Sequence, residues 1–264
     1  MKKILIIGKK SFLGSNLKNY LSKYMIVDVY SYEEIISRNL KFFNKYTHII
    51  NSAINRNYIK KKYNKNNDLD LSLANKLKNI NIFYIFFNTR KIYLPKQNIT
   101  ENSKIKPIDI YAKNKFRTEV KLKKILKKKL ISLRVSNVIG KRIYRNKRSY
   151  HKIFMDNFFE FRKNNKKIVV NNDFKDFISI NQFCAIIRKI INLKIYGIFN
   201  LSISKKIYIS EIVKWLDRDF QKKIKFQKSN KDSFTLSNTK LLKKIRIRIT
   251  KKQLEKFCKK MVYR

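Results

Sequence analysis

The chain has 264 residues, 44% of them hydrophobic, which excludes a wholly disordered protein and suits one α/β domain carrying a smaller lobe. Sixty-five Lys and Arg stand against 17 Asp and Glu, a formal charge of +48 that on its own points to a polyanionic partner. The lysines are spread over nearly every segment, however, and Gly (4), Pro (2) and Trp (1) are scarce, so the excess reads as compositional drift on solvated faces and no dedicated nucleic-acid partner is favoured.

The opening MKKILIIGKK is apolar only to Ile7, too short for the core of a signal peptide, and reads as a first strand, Ile4 to Ile7. Leu13, Leu17, Tyr20 and Leu21 follow at helical spacing. A second strand is expected at Met25 to Tyr30, a helix at Glu33 to Phe43, and a third strand at Thr47 to Asn51, inside which His48 reads as a core residue. After a basic, Asn-rich loop come a helix near Asp68 to Lys78 and a fourth strand, Ile82 to Asn88, apolar throughout as in a sheet covered on both faces. Pro95 and Pro107 bracket a loop, Asp109 to Lys128 reads as a long helix, and Leu130 to Ser136 as the fifth strand.

Beyond Tyr144 the pattern loosens. Helices are expected at His151 to Lys163, Gln182 to Asn192 and Ser210 to Phe220, with strand pieces at Lys167 to Val170, Phe177 to Ile180 and Gly197 to Leu201. Alternating strands and helices predict a Rossmann-type, doubly wound parallel sheet over residues 1–143. Residues 144–264 then form mainly a C-terminal substrate lobe, with segments returning to the sheet. Cys184 and Cys258 are far apart without a CxxC pattern, which suggests neither a disulfide framework nor a metal site and fits a reducing cytoplasm. No apolar run approaches the roughly 20 residues of a membrane span.

Two stretches carry chemistry. Gly8, Lys9, Lys10, Ser11, Phe12, Leu13 and Gly14 occupy the turn from first strand to first helix, where backbone N–H groups and the helix dipole attract the pyrophosphate of a dinucleotide. Two of the four glycines fall here, although Ser11 replaces the middle glycine of a GxxGxxG pattern. In YAKNK, Tyr111 and Lys115 lie four apart on one helix face, and an ammonium beside a phenol lowers its pKa toward the range useful for proton transfer. Thr89, at the end of the fourth strand, offers a hydroxyl that could share a substrate oxygen with Tyr111.

With these residues in place the chain resembles the extended short-chain dehydrogenase/reductase family, the NAD(P)-dependent epimerases, dehydratases and reductases of nucleotide sugars. The likeness runs through IIGKKSFLGSNL, HIINSA, TRKIY, YAKNK, LRVSNVIG, KDFISI and YGIFNLS. It implies Thr89, Tyr111 and Lys115 as the catalytic triad, with Lys115 also holding the nicotinamide ribose. It further implies a cofactor site that includes Ser52, Ala53 and Asn88 beside the glycine loop, a nucleotide-sugar substrate, and Asn137 and His151 facing that substrate. A homodimer is possible, although Lys121 to Lys129 would make the usual pairing surface repulsive.

Departures narrow the expectation. Dehydratases of the family carry Asp and Glu after the catalytic Thr, where this chain has Arg90 and Lys91, so a keto-sugar reductase is favoured, with an epimerase or an epimerase-reductase as alternatives. In the last, His151 and Lys91 would exchange the proton beside the ketone. The family's acid at the end of the second strand has no counterpart among Val29, Tyr30 and Ser31. Lys9 and Lys10 could meet a 2′-phosphate there, which leans the cofactor toward NADP over NAD. A member kept as an NAD(P)-sensing or RNA-binding protein is the reading from a different class.

Overall fold

β-Branched and aromatic side chains fit a pleated surface covered on both faces, and the apolar runs of this sequence build such a layer. In the computed structural model, which describes residues 2–144, 153–164 and 168–262, the strands are β1 (Lys3–Ile7), β2 (Ile26–Tyr30), β3 (His48–Asn51), β4 (Phe83–Thr89), β5 (Leu130–Val135), the short β6 (Asn137–Ile139), β7 (Ile168–Asn171), β8 (Phe174–Lys175) and β9 (Phe177–Ser179), then β10 (Gly197–Leu201), β11 (Ile207–Tyr208) and β12 (Ile224–Gln227). Six of them form one parallel sheet in the order β10-β5-β4-β3-β1-β2. Ile7 pairs with both Tyr30 and Asn51, and Thr89 with Val135. The strands therefore end along one edge, and Gly8, Ser31, Ser52, Arg90 and Ser136 follow there, where open α/β sheets hold their ligands.

The helices are α1 (Phe12–Leu21), α2 (Tyr32–Ile36), α3 (Arg56–Lys60), α4 (Leu69–Leu77), α5 (Ile110–Leu126), α6 (Phe154–Asn164), α7 (Ile180–Leu193), α8 (Ile209–Leu216), α9 (Arg218–Lys222), α10 (Thr239–Ile245) and α11 (Lys251–Val262). Leu17 and Leu21 of α1 and Ile186, Ile187 and Ile190 of α7 share a core with Ile4 and Ile6. Leu73 and Leu77 of α4 and Leu122 and Leu126 of α5 pack with Leu5, Tyr84 and Phe86 on the opposite face. A third, small cluster joins Ile92, Tyr93 and Ala112 to Phe234 and Leu236, and so ties the segment after β4 and the start of α5 to the C-terminal part. No helix among the described residues is long and apolar enough to cross a membrane.

Polar caps account for the differences from the expected elements. The helix expected at Glu33 to Phe43 is cut: Asn39 accepts a hydrogen bond from the Phe42 N–H and starts a 3-10 turn over Leu40–Lys45. Asp217 likewise divides Ser210 to Phe220 by capping α9 with its side chain. The helix expected from Gln182 begins at Ile180, because Ser179 and Gln182 form a reciprocal capping box. His48 is a core residue as expected, stacked on Phe83 at 5.1 Å. His151 lies outside the described residues.

Candidate functional site

At the sheet edge the chain leaves β1 through Gly8 at φ +101°, a conformation that favours glycine. A Cβ on Gly8 would stand 2.8 Å from the Ala53 nitrogen, and one on Gly14 would stand 2.4 Å from Ser52 Oγ and 2.6 Å from the Gly8 oxygen. The turn is thus packed directly on the end of β3. Ser11, the residue in place of the middle glycine, accepts from the Gly14 N–H at 2.9 Å and donates to Ser52 Oγ at 2.7 Å, and the Ser52 hydroxyl donates in turn to the Ile7 carbonyl at 2.7 Å. Ser11 therefore caps α1. The N–H groups of Phe12 and Leu13 in the first turn have no intrahelical acceptor and suit a pyrophosphate. The missing Cβ atoms and this outward-facing turn fit a dinucleotide.

Beside this cradle stands a residue that the sequence reading missed. Glu34 of α2 reaches back to the Ser31 N–H at 2.6 Å in a capping box, and its carboxylate meets the Lys9 ammonium at 3.3 Å. A carboxylate thus stands one helical turn after β2, and Lys9 is already paired with it. Lys10 is exposed. The lean toward NADP, which rested on an absent acid and available loop lysines, loses that support. The signal was present in SYEE, a serine followed three residues later by glutamate.

Thr89 is the last residue of β4 and half-buried. Its neighbour Asn88 is turned inward: the side-chain oxygen accepts from the Thr89 N–H at 2.7 Å while Nδ2 donates to Glu119 at 2.8 Å. Asn88 therefore fixes the backbone of Thr89. The start of α5 is stitched to the same strand end, since Ile108 N–H donates to the Lys91 carbonyl at 3.1 Å and Lys106 N–H to the Ile92 carbonyl at 2.9 Å. Asp109 caps α5 by accepting from the Ala112 N–H at 2.7 Å, and takes the Lys91 ammonium at 2.8 Å. Two residues after this cap, Tyr111 sits in the first turn of the helix whose next turn carries Lys115.

Lys115 is buried at 6% exposure, its ammonium 4.5 Å from the centre of the Phe86 ring and 3.4 Å from the carboxylate of Asp70, itself 5% exposed. Asp70 was not singled out in the sequence. Desolvation pushes the Tyr111 phenol above its ordinary pKa, Lys115 pulls it down, and Asp70 and Asp109 push it up again. The expected influence of Lys115 is present, but the net shift is upward and the hydroxyl keeps its proton at neutral pH.

Arg90 lies buried over the Phe234 ring at 4.0 Å and pairs with Asp232 at 2.5 Å. Lys91 serves as a tie on the cap of α5. Asn137 opens β6 half-buried, its N–H donating to the Asp176 carbonyl at 3.2 Å. Beneath the site, Glu119 of α5 takes Arg134 at 2.5 Å, Ser132 at 2.6 Å and Asn88 at 2.8 Å. This buried pair was not anticipated either. A groove of about 730 Å³ runs between α1, α7 and α11; neither the glycine loop nor Thr89, Tyr111 or Lys115 lines it.

A scan of family models finds none that matches the chain, and no curated protein matches it in sequence. Solved structures do match in shape. The chain superposes on UDP-N-acetylglucosamine 4-epimerase from Methanobrevibacter ruminantium M1, solved with UDP-N-acetylmuramic acid, with a TM-score of 0.79 at 19% identity over 99% of this chain and 97% of that one. It superposes on a dTDP-4-dehydrorhamnose reductase from Clostridium acetobutylicum with a TM-score of 0.76 at 18% identity, over 99% and 98% of the two chains. With dTDP-glucose 4,6-dehydratase from Bacillus anthracis in complex with NAD the TM-score is 0.77 at 16% identity, over 100% and 96%. At these identities the likeness establishes the architecture alone: the described residues share the Rossmann-type fold of these enzymes.

Proposed function

We propose that the protein reduces the carbonyl of a nucleotide-activated keto sugar, with a nicotinamide dinucleotide on the glycine cradle and the sugar held between the sheet edge and residues 144–264. The bound dinucleotide would supply the hydride. Thr89 and Tyr111 would hold the carbonyl oxygen, Tyr111 would give it a proton, and Lys115 would stabilise the phenolate left behind. The observation that carries this reading is Tyr111 in the first turn of α5, one helical turn before the buried Lys115, at the sheet edge where the cradle also lies. Elimination of water is disfavoured, because the two positions after Thr89 hold cations already paired with Asp232 and Asp109. The pairing of Lys91 with Asp109 disfavours it as the base of an epimerase-reductase, whereas an epimerase that only oxidises and reduces at one carbon remains the second reading, supported by the 4-epimerase among the structural neighbours.

The test is absorbance at the reduced-nicotinamide band with NADPH or NADH and a panel of UDP-, dTDP- and GDP-linked keto sugars. Tyr111→Phe keeps the ring and deletes the proton, so kcat should fall by about 10²-fold or more while dinucleotide binding holds. Turnover of a cognate keto sugar by Tyr111→Phe at the parental rate would refute the assignment. Thermal stabilisation by duplex RNA, and by neither dinucleotide, would replace the enzyme with the binding protein.

A further inference from the structure

The feature of this site that the triad does not account for is a second buried charge. Asp70, on the second residue of α4, is reached by donors from three elements: the Lys115 ammonium of α5 at 3.4 Å, Asn51 Nδ2 of β3 at 2.9 Å and the Tyr84 hydroxyl of β4 at 2.8 Å. Three donors from three directions leave the carboxylate one orientation, and its burial makes the ion pair with Lys115 feel little screening. Asn51 also accepts from the Ala53 N–H at 3.0 Å, the backbone against which Gly8 packs. One carboxylate thus joins the floor of the glycine cradle to the lysine of the triad.

An isolated ammonium beside a phenol favours the phenolate and prepares the tyrosine to accept a proton. An ammonium held by a buried carboxylate is part of a neutral pair and favours the phenolate far less. The groups facing this cluster do not replace the lost positive charge: Asp68 adjoins Asp70, Tyr32 and Tyr58 lie within electrostatic reach of it, and Asp109 faces Tyr111. We propose that Asp70 is a positioning residue that holds Lys115 in place and takes up part of its charge, so that Tyr111 rests protonated, as the proton donor of the site. The inference rests on Tyr111 being the acid named above. In the proton step the Tyr111 O–H bond breaks and the substrate O–H bond forms. The phenolate is reprotonated by an acid in solution (hydronium or buffer), so that the reduction consumes one hydride and one proton, and this return is easier when Lys115 does not hold the anion too strongly.

The decisive measurement is the titration of Tyr111 in the full-length protein labelled with ¹³Cζ-tyrosine, its resonance among the 15 tyrosines identified by its loss in Tyr111→Phe. Asp70→Asn keeps acceptor and shape while removing the charge, and should move the Tyr111 midpoint down by about one pH unit or more, the usual effect of one close charge. The alkaline limb of kcat should move with it, whereas a residue important only for packing would lower activity without moving the limb. An unchanged midpoint overturns the proposal. If Asp70→Asn does not fold, Asp70→Ser carries the same test. Failure of both neutral variants alongside a folded Asp70→Glu would assign the carboxylate to stability alone and overturn the proposal as well. The titration needs no substrate, so a protein inactive on every keto sugar but with a responsive Tyr111 would refute the reductase and keep the coupling.

Discussion

Replacing Glu119 by Gln removes one charge from under the site while leaving the side-chain shape almost unchanged, so no cavity is created. The side chains of Glu119 and Arg134 are 2% and 5% exposed and meet at 2.5 Å, and Ser132 and Asn88 donate to the same carboxylate. Without the charge, Arg134 is left buried with no carboxylate of its own, its acceptors being the amide oxygen of the substituted side chain, the neutral Tyr93 hydroxyl and the Glu101 carbonyl. Breaking one side of a buried pair costs about 3–5 kcal/mol, a large part of the roughly 5–15 kcal/mol by which a domain is stable. In urea, with a slope of about 3 kcal/mol per molar for a chain of this size, the midpoint should fall by about 1 M or more. The double variant Glu119→Leu with Arg134→Met removes both charges and should recover most of that loss, since the penalty lies in the lone cation more than in the missing contacts. A loss below about 1 kcal/mol in Glu119→Gln, the range of an exposed pair, or a double variant as unstable as the single one, would refute the assignment of this pair as the tie between α5 and the sheet. A displaced Asn88 would also release the Thr89 N–H, so kcat should fall in conditions where Glu119→Gln is still folded.

Glu34→Gln frees Lys9 and removes an anion from beside the cradle, so NADPH affinity should rise several-fold relative to NADH by calorimetry, an effect that weakens with salt because the pair is exposed. An unchanged ratio would show that this pair does not face the ribose. Gly14→Ala sets a methyl 2.6 Å from the Gly8 backbone oxygen, which cannot yield as a side chain would; about 1–3 kcal/mol of stability should be lost, and dinucleotide should no longer raise the melting temperature. Burial lifts Asp176 from 3.8 to about 7 in spite of the Ile203 and Leu236 N–H groups it accepts. A carboxyl that binds its proton more tightly when folded contributes stability in full below about pH 4 and loses it as pH rises through about 7, on the order of 4 kcal/mol. Asp176→Asn cannot titrate, so the gap in melting temperature between it and the parent should change from about pH 5 to about pH 8, and a constant gap would refute the shift.

The strands were legible because burial on both faces leaves a local mark, an unbroken apolar run, as in Phe83–Phe87. β1, β3, β4 and β5 lie within a residue or two of their expected places. The glycine turn and YAKNK were legible for a similar reason, since each is one turn whose neighbours are its own sequence neighbours. Even the Lys-rich run beginning at Lys121 reads correctly as helix, because Leu122, Ile125 and Leu126 keep its apolar stripe until Lys127 breaks it with φ 48°.

The charges could not be ranked in this way. In a chain with 65 basic residues, Lys9, Arg90 and Lys91 resemble every other solvated cation, and only the folded chain sets Glu34, Asp232 and Asp109 against them. Nothing in the sequence marks Asp70, Glu119 and Arg134 as paired, since each buried ion pair is made between different elements. The sequence by itself determined that Tyr111 and Lys115 share a helix face, because a helix repeats every 3.6 residues wherever it forms. Whether that lysine lends its charge to the tyrosine was decided by tertiary structure, because electrostatic effects depend on distance and burial, and the packing of α4 against α5 brings Asp70 to the ammonium.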